Sequence, residues 1–250
     1  LATGSSLSLD GGAGTDTLGV LSFDNPSIVS AVNQATNFEV LEFFRHSTSL
    51  EASAYTDIDT FMLNQTTNGD RLTVTGVESD DLFVFKTDAG ETAEFIQFEA
   101  ETVGQSLTFE LRATVEDNGN IELLANGNNT GSSAIGFTGT STFSDVTIHS
   151  TGTNEDANLI QAVDAGVGAH YAFNNTDGPT NFLITGDQAL TIAAAEGAEI
   201  DAGDDQLGFT TSVILDGSAA TGALRLAGSS SGDSIEGGMA DDILYGLGGD

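Results

Sequence analysis

The sequence holds no cysteine and no tryptophan, and only two prolines, three histidines and five lysines and arginines among its 250 residues. Each scarcity excludes something. Without cysteine there is no disulfide framework, no zinc–thiolate site and no thiol nucleophile. No apolar run approaches the ~20 residues of a membrane-spanning helix, so membrane insertion is not expected. Against 38 aspartates and glutamates the few cations leave a formal charge of −33. Such a field repels phosphate backbones and anionic lipid surfaces, which excludes nucleic acid as a partner. It also demands cations, supplied either by divalent metal at defined sites or by a salty surrounding around a solvated acidic surface.

The same scarcities bear on catalysis. The three histidines, His46, His149 and His170, are far apart, and no HExxH zinc-protease signature occurs. A formal G-x-S-x-G at Gly228-Ser229-Ser230-Ser231-Gly232 has no histidine after it, as a serine hydrolase order would require. A polysaccharide lyase or epimerase needs a base and a group that neutralises a sugar carboxylate. Only Arg45 and His46 are adjacent among the candidates for such work. The expectation is a protein that is not an enzyme.

What is abundant is glycine, aspartate and short alternating apolar runs. The runs fall at 6–9, 17–23, 38–44, 61–63, 71–77, 82–86, 94–98, 106–115, 120–124, 143–149, 181–185, 189–193, 211–215 and 223–226, separated by Gly/Asn/Asp/Thr clusters. These are strand lengths with turn chemistry between them. Helix signals are few: Asp24-Asn25-Pro26 caps a short helix over 27–32, and 52–59 reads as a short turn. The phenylalanines sit within the apolar alternations and read as core. The expected fold class is all-β, a β-solenoid of parallel β-helix-like stacked rungs over 1–227, loosest near 126–133, with a calcium-binding β-roll starting at 228–250.

The roll is read from the repeat G-G-x-G-x-D-x-U-x, where U is a large aliphatic residue. Gly237-Gly238-Met239-Ala240-Asp241-Asp242-Ile243-Leu244-Tyr245 fits it with Ala240 in place of the fourth glycine. Gly228 opens a looser copy with Asp233 and Ile235 in the sixth and eighth places, and a third copy begins at Gly246 and reaches Gly248-Gly249-Asp250. The chain is therefore read as a piece of a longer array. Glycine lets a turn bring carbonyl oxygens close to a cation, and aspartate adds charged oxygen. Calcium, a hard ion taking about six to eight oxygens, suits this donor set. Asp233, Gly237, Gly238, Asp241, Asp242, Gly248 and Asp250 are the candidates. Substituting Asp242→Ala is expected to lower stability only where calcium is present.

Two further elements are calcium-like. Gly11-Gly12-Ala13-Gly14-Thr15-Asp16-Thr17-Leu18-Gly19 matches the template, with Asp10 just before it. As a single copy it needs oxygens from an adjoining rung, and Asp10, Gly12, Gly14 and Asp16 are its candidates. Asp201, Asp204 and Asp205 crowd three carboxylates into five residues, which repel unless a cation sits among them.

The segment Leu215-Asp216-Gly217-Ser218-Ala219-Ala220-Thr221-Gly222-Ala223-Leu224-Arg225-Leu226, running into the nonapeptides, resembles the rung before the calcium array of repeats-in-toxin (RTX) surface-layer proteins of Gram-negative bacteria. Residues 10–18 and Thr36-Asn37-Phe38-Glu39-Val40-Leu41-Glu42 are similar to other segments of such proteins. The resemblance touches about a third of the chain. It implies export by a type I system, location at the extracellular cell surface, and Ca²⁺-dependent assembly with copies of itself into a two-dimensional lattice. Cell-surface polysaccharide is a further candidate partner. Carried over by position, Asp16, Asp233 and Asp242 would be the side-chain ligands. An RTX adhesin or surface-binding module is the alternative.

Overall fold

The computed structural model describes residues 9–21, 26–44, 49–63, 71–86, 95–113, 121–125, 133–139, 142–153, 156–162, 170–194 and 206–248. Among them the chain forms β1 (Thr17–Val20), α1 (Pro26–Val32), β2 (Val40–Phe43), β3 (Ser49–Glu51), a 3₁₀ turn (Ala52–Ala54), β4 (Thr60–Leu63), β5 (Arg71–Val77), β6 (Leu82–Phe85), β7 (Phe95–Ala100) and β8 (Gln105–Ala113). It continues as β9 (Glu122–Ala125), β10 (Ser133–Phe137), β11 (Phe143–Gly152), β12 (Asn158–Ala162), β13 (His170–Asn174), β14 (Asn181–Gly186) and β15 (Leu190–Ala194). The last strands are β16 (Gln206–Phe209), β17 (Ile214–Ala220), β18 (Leu224–Ala227), β19 (Ser234–Glu236) and β20 (Ile243–Tyr245).

The fold is all-β with parallel sheets, in agreement with the coarse expectation from sequence. A nine-stranded sheet runs β1-β2-β4-β6-β8-β11-β14-β17-β19, a six-stranded sheet β16-β13-β10-β7-β5-β3, and a five-stranded sheet β20-β18-β15-β12-β9. From β2 to β8 the chain alternates between the nine- and six-stranded sheets. From β8 to β17 it visits the nine-, five- and six-stranded sheets in turn, and from β17 to β20 it alternates between the nine- and five-stranded sheets. The distance along the chain between neighbours changes accordingly. Val40 faces Thr60 early on, Asp145 faces Asn181 in the middle, and Ile214 faces Ser234 at the end.

Period-2 alternation decides which side chains go inside. Leu41 and Phe43, Phe61 and Leu63, Phe83 and Phe85, and Leu107, Phe109 and Leu111 from the nine-stranded sheet are all buried in one core cluster. Leu72, Val74, Ile96, Phe98, Ile135, Phe173 and Phe209 meet them from the six-stranded sheet. In-register stacking places like on like. Phe61 stacks on Phe83 at 5.3 Å, and Phe173 on Phe209 at 4.9 Å with the rings 3° apart. Each fully buried side chain of this kind contributes about 1.5–3 kcal/mol.

Buried asparagines fasten the corners. The fully buried Asn158, which opens β12, accepts the Ile121 N–H at 3.0 Å and donates to the Leu111 carbonyl at 3.1 Å and Ser150 Oγ at 3.0 Å. Asn175, after β13, accepts the Thr211 N–H at 3.0 Å and the Thr210 hydroxyl at 2.9 Å, and donates to the Pro179 carbonyl at 3.3 Å.

The short helix appears as α1 and the 52–59 turn as the 3₁₀ turn, but the expected strand at 211–215 is displaced. Thr210 and Thr211 are spent on Asn175, so the strand starts only at Ile214. Strands β3, β10, β12, β13 and β16 had no counterpart among the expected runs. They are three to five residues long, and glycine, alanine or asparagine interrupts the alternation in most of them. Residues 126–132 of the loose stretch, and residues 1–8 with most of the first expected strand, lie outside the described residues.

Candidate metal centre

Successive nonapeptides go to different sheets. The aliphatic segment of the first, Ser234–Glu236, pairs with β17, and that of the second, Ile243–Tyr245, pairs with β18. Arg225 therefore faces Ile243, two nonapeptides further on.

In both copies the aspartate closes its own turn and reaches back to the start of the neighbouring strand in its sheet, β17 for Asp233 and β18 for Asp242. Asp233 accepts the Ser229 N–H at 2.7 Å and the Val213 N–H at 2.9 Å. Asp242 accepts the Gly238 N–H at 2.7 Å and the Leu224 N–H at 2.8 Å. Ser229 and Gly238 thus play the same part. The serine that breaks the glycine pattern adds a hydroxyl bond to Asp233 at 2.9 Å, so the departure leaves the turn intact. The first glycine of each copy is required by close approach. A Cβ on Gly228 would lie 2.3 Å from Asp233 Oδ2, and one on Gly237 would lie 2.5 Å from Asp242 Oδ2. Beside Gly238 the carbonyls of Ala220 and Gly217 would meet a Cβ at 2.6 and 3.2 Å. Gly248 donates to the Ser229 carbonyl at 3.3 Å, which joins the third copy to the first, and Asp241 is exposed.

The other template match lies at the opposite edge of the nine-stranded sheet. Asp10 accepts the Gly12 N–H at 3.1 Å and the Asn37 amide at 2.6 Å. Asp16 donates its N–H to Glu39 at 2.9 Å, while its Oδ2 is buried with no hydrogen-bond partner. Gly12 and Gly14 take φ of 94° and 132°, conformations that favour glycine. The segment just before β2 brings the Asn37 amide N–H to Asp10 and a Glu39 carboxylate oxygen to the Asp16 N–H. Neither residue is among the candidate ligands read from the sequence, although both lie in the 36–42 segment that carries part of the resemblance. Asp201, Asp204, Asp205 and Asp250 lie outside the described residues.

The donor set fits calcium in kind. It is oxygen only, with one carboxylate per turn, glycine-framed carbonyls beside it, and a buried unpartnered carboxylate oxygen on Asp16. Among the described residues no three acidic, histidine or cysteine side chains converge on one point, so carbonyls would have to supply most of a calcium shell. Asp242 accepts two backbone N–H groups, so Asp242→Ala is expected to cost some stability in chelator as well as in calcium, which thermal unfolding in the two buffers checks.

No family model, curated protein or solved structure matches the chain.

Proposed function

We propose that the chain is a calcium-dependent structural segment of an RTX-type surface-layer protein, a β-solenoid whose three sheets are the faces of stacked coils. The observation that carries this reading is the aspartate clasp. Asp233 and Asp242 each bind backbone of the strand one coil earlier, at a spacing of two nonapeptides for Asp242. This is the arrangement a β-roll needs if each cation sits between successive turns.

The role of calcium follows from charge. At −33, copies of the chain repel one another and its own acidic turns resist stacking. Divalent cations in the turns would relieve both, coupling folding to the millimolar calcium met outside the cell, where sites of about 10⁻⁴–10⁻³ M are matched to supply. On this reading the protein leaves by type I secretion, folds at the cell surface, and packs laterally with its own copies, with surface polysaccharide as the anchoring ligand.

Electron microscopy of the parent protein, stripped with chelator and then returned to millimolar calcium, tests the assembly. Ordered two-dimensional sheets are expected with calcium and dispersed particles without it. Dispersed particles in both conditions would remove the surface-layer role and favour a secreted binding module.

A further inference from the structure

Four acidic residues occupy one position on four successive strands of the nine-stranded sheet. Thr17, Val40, Thr60 and Leu82 share one register row. The residues just before them, Asp16, Glu39, Asp59 and Asp81, therefore follow one another at the same corner, one strand spacing of about 4.8 Å apart. Backbone bonds fix the steps, from Glu39 N to the Asp16 carbonyl at 3.2 Å and from Leu82 N to the Asp59 carbonyl at 2.7 Å.

The Asp59–Asp81 step differs from the others. Asp81 is only 7% exposed, whereas Asp59 is open to solvent. Between the turns at 52–59 and 78–81 lies a cleft of about 410 Å³, walled by Tyr55, Asp57, Asp59, Glu78, Asp80 and Asp81. Asp81 closes its own turn, accepting the Glu78 N–H at 2.8 Å and donating its N–H to the Glu78 carbonyl at 3.2 Å. The charged groups around it are of one sign. Asp57 and Asp59 belong to the turn before, Glu78 and Asp80 to its own, and Glu101 opens the turn after. The nearest described cations along the sheet are engaged elsewhere, Lys86 with Glu42 and Arg112 with Glu110.

We propose that this step is a proton-sensitive joint: with Asp81 neutral the turns at 52–59 and 78–81 pack as they do here, and ionisation of Asp81, adding one more charge to the carboxylates that line the cleft, drives them apart. Burial is the main cause that pushes the Asp81 carboxyl from 3.8 to about 7, with repulsion from Asp80, Glu78 and Asp59 adding to it and the Glu78 N–H opposing. A carboxyl raised in this way is favoured neutral in the fold. Its contribution is fully present below the unfolded-chain value of 3.8 and is lost as pH rises through about 7. The joint is independent of calcium in the nonapeptides and operates in chelator.

The test is thermal unfolding of the protein and of Asp81→Asn in chelator, between about pH 5.5 and about pH 8.5. The asparagine keeps an acceptor for the Glu78 N–H and stays neutral throughout. The variant should be more stable than the wild type across this range, by a margin that grows as pH rises to about 7 and stays constant above it. In parallel, the ¹³C shift of the wild-type Asp81 carboxyl should titrate with a midpoint near 7. Parallel melting curves at all pH values would overturn the proposal. So would a carboxyl midpoint in the ordinary aspartate range, which decides the matter even if the variant does not fold.

Discussion

Replacing Asn158 by leucine is expected to destabilise the fold by about 3–5 kcal/mol, because it strands buried backbone groups that each cost about 1–3 kcal/mol when left unpaired. Leucine has the same branching as asparagine but larger methyl ends, so overpacking adds to the loss of polar partners. Asn158 is fully buried at the corner where β11 hands over to β12. Its side chain holds the earlier corner through Ile121 N and the Leu111 carbonyl, while its own N–H donates to the Ala189 carbonyl at 2.8 Å. One residue thus ties three successive passes of the chain. Aspartate is no substitute, since it offers no donor to Leu111 and Ser150 and buries a charge. Denaturant unfolding measures the loss; a cost below about 1 kcal/mol would mean that water reaches the corner and replaces the amide.

Phe173→Ala carries the second large effect, about 3–5 kcal/mol for removal of a buried ring. Phe173 has no exposed surface and contacts three other phenylalanines. It stacks with Phe209 at 4.9 Å and with Phe137 at 6.4 Å, and meets Phe182 edge-on at 5.2 Å. The column Phe137, Phe173 and Phe209 runs along β10, β13 and β16, so the cavity would loosen the six-stranded sheet at the end where these strands of four to five residues lie. Hydrogen exchange should quicken in β10, β13 and β16 while β2, β4 and β6 keep their protection. Uniform quickening across all sheets would show that the rings do not act as a local column.

Much of the fold was legible because its strongest signals are local. The alternating run Phe61–Leu63 buries every second residue and reappears as β4, and the apolar run Leu82–Lys86 reappears as β6, with Phe83, Val84 and Phe85 all buried. The strands that escaped, such as β10 and β13, are set by stacking on neighbours in register. Ser133 faces Tyr171 only because β7 to β16 already form a sheet, a fact that no short window contains. The nonapeptides were legible for the same local reason, since glycine and aspartate recur in phase. What the repeat did not disclose is that Asp233 and Asp242 bond backbone eighteen or more residues upstream. Asn37 and Glu39 beside Asp10 and Asp16 were hidden likewise, as was the carboxylate row from Asp16 to Asp81. Both depend on register between strands separated by turns of unequal length.

Thermal unfolding of the wild type and of Asp242→Asn in chelator, in 10 mM magnesium and in 10 mM calcium tests the central claim most directly, with sites of about 10⁻⁴–10⁻³ M gaining about 1–3 kcal/mol each at that calcium concentration. Calcium, and not magnesium, is expected to raise the wild-type melting temperature by several degrees, and Asp242→Asn to lose part of that gain. Identical melting of the wild type in all three buffers would contradict it.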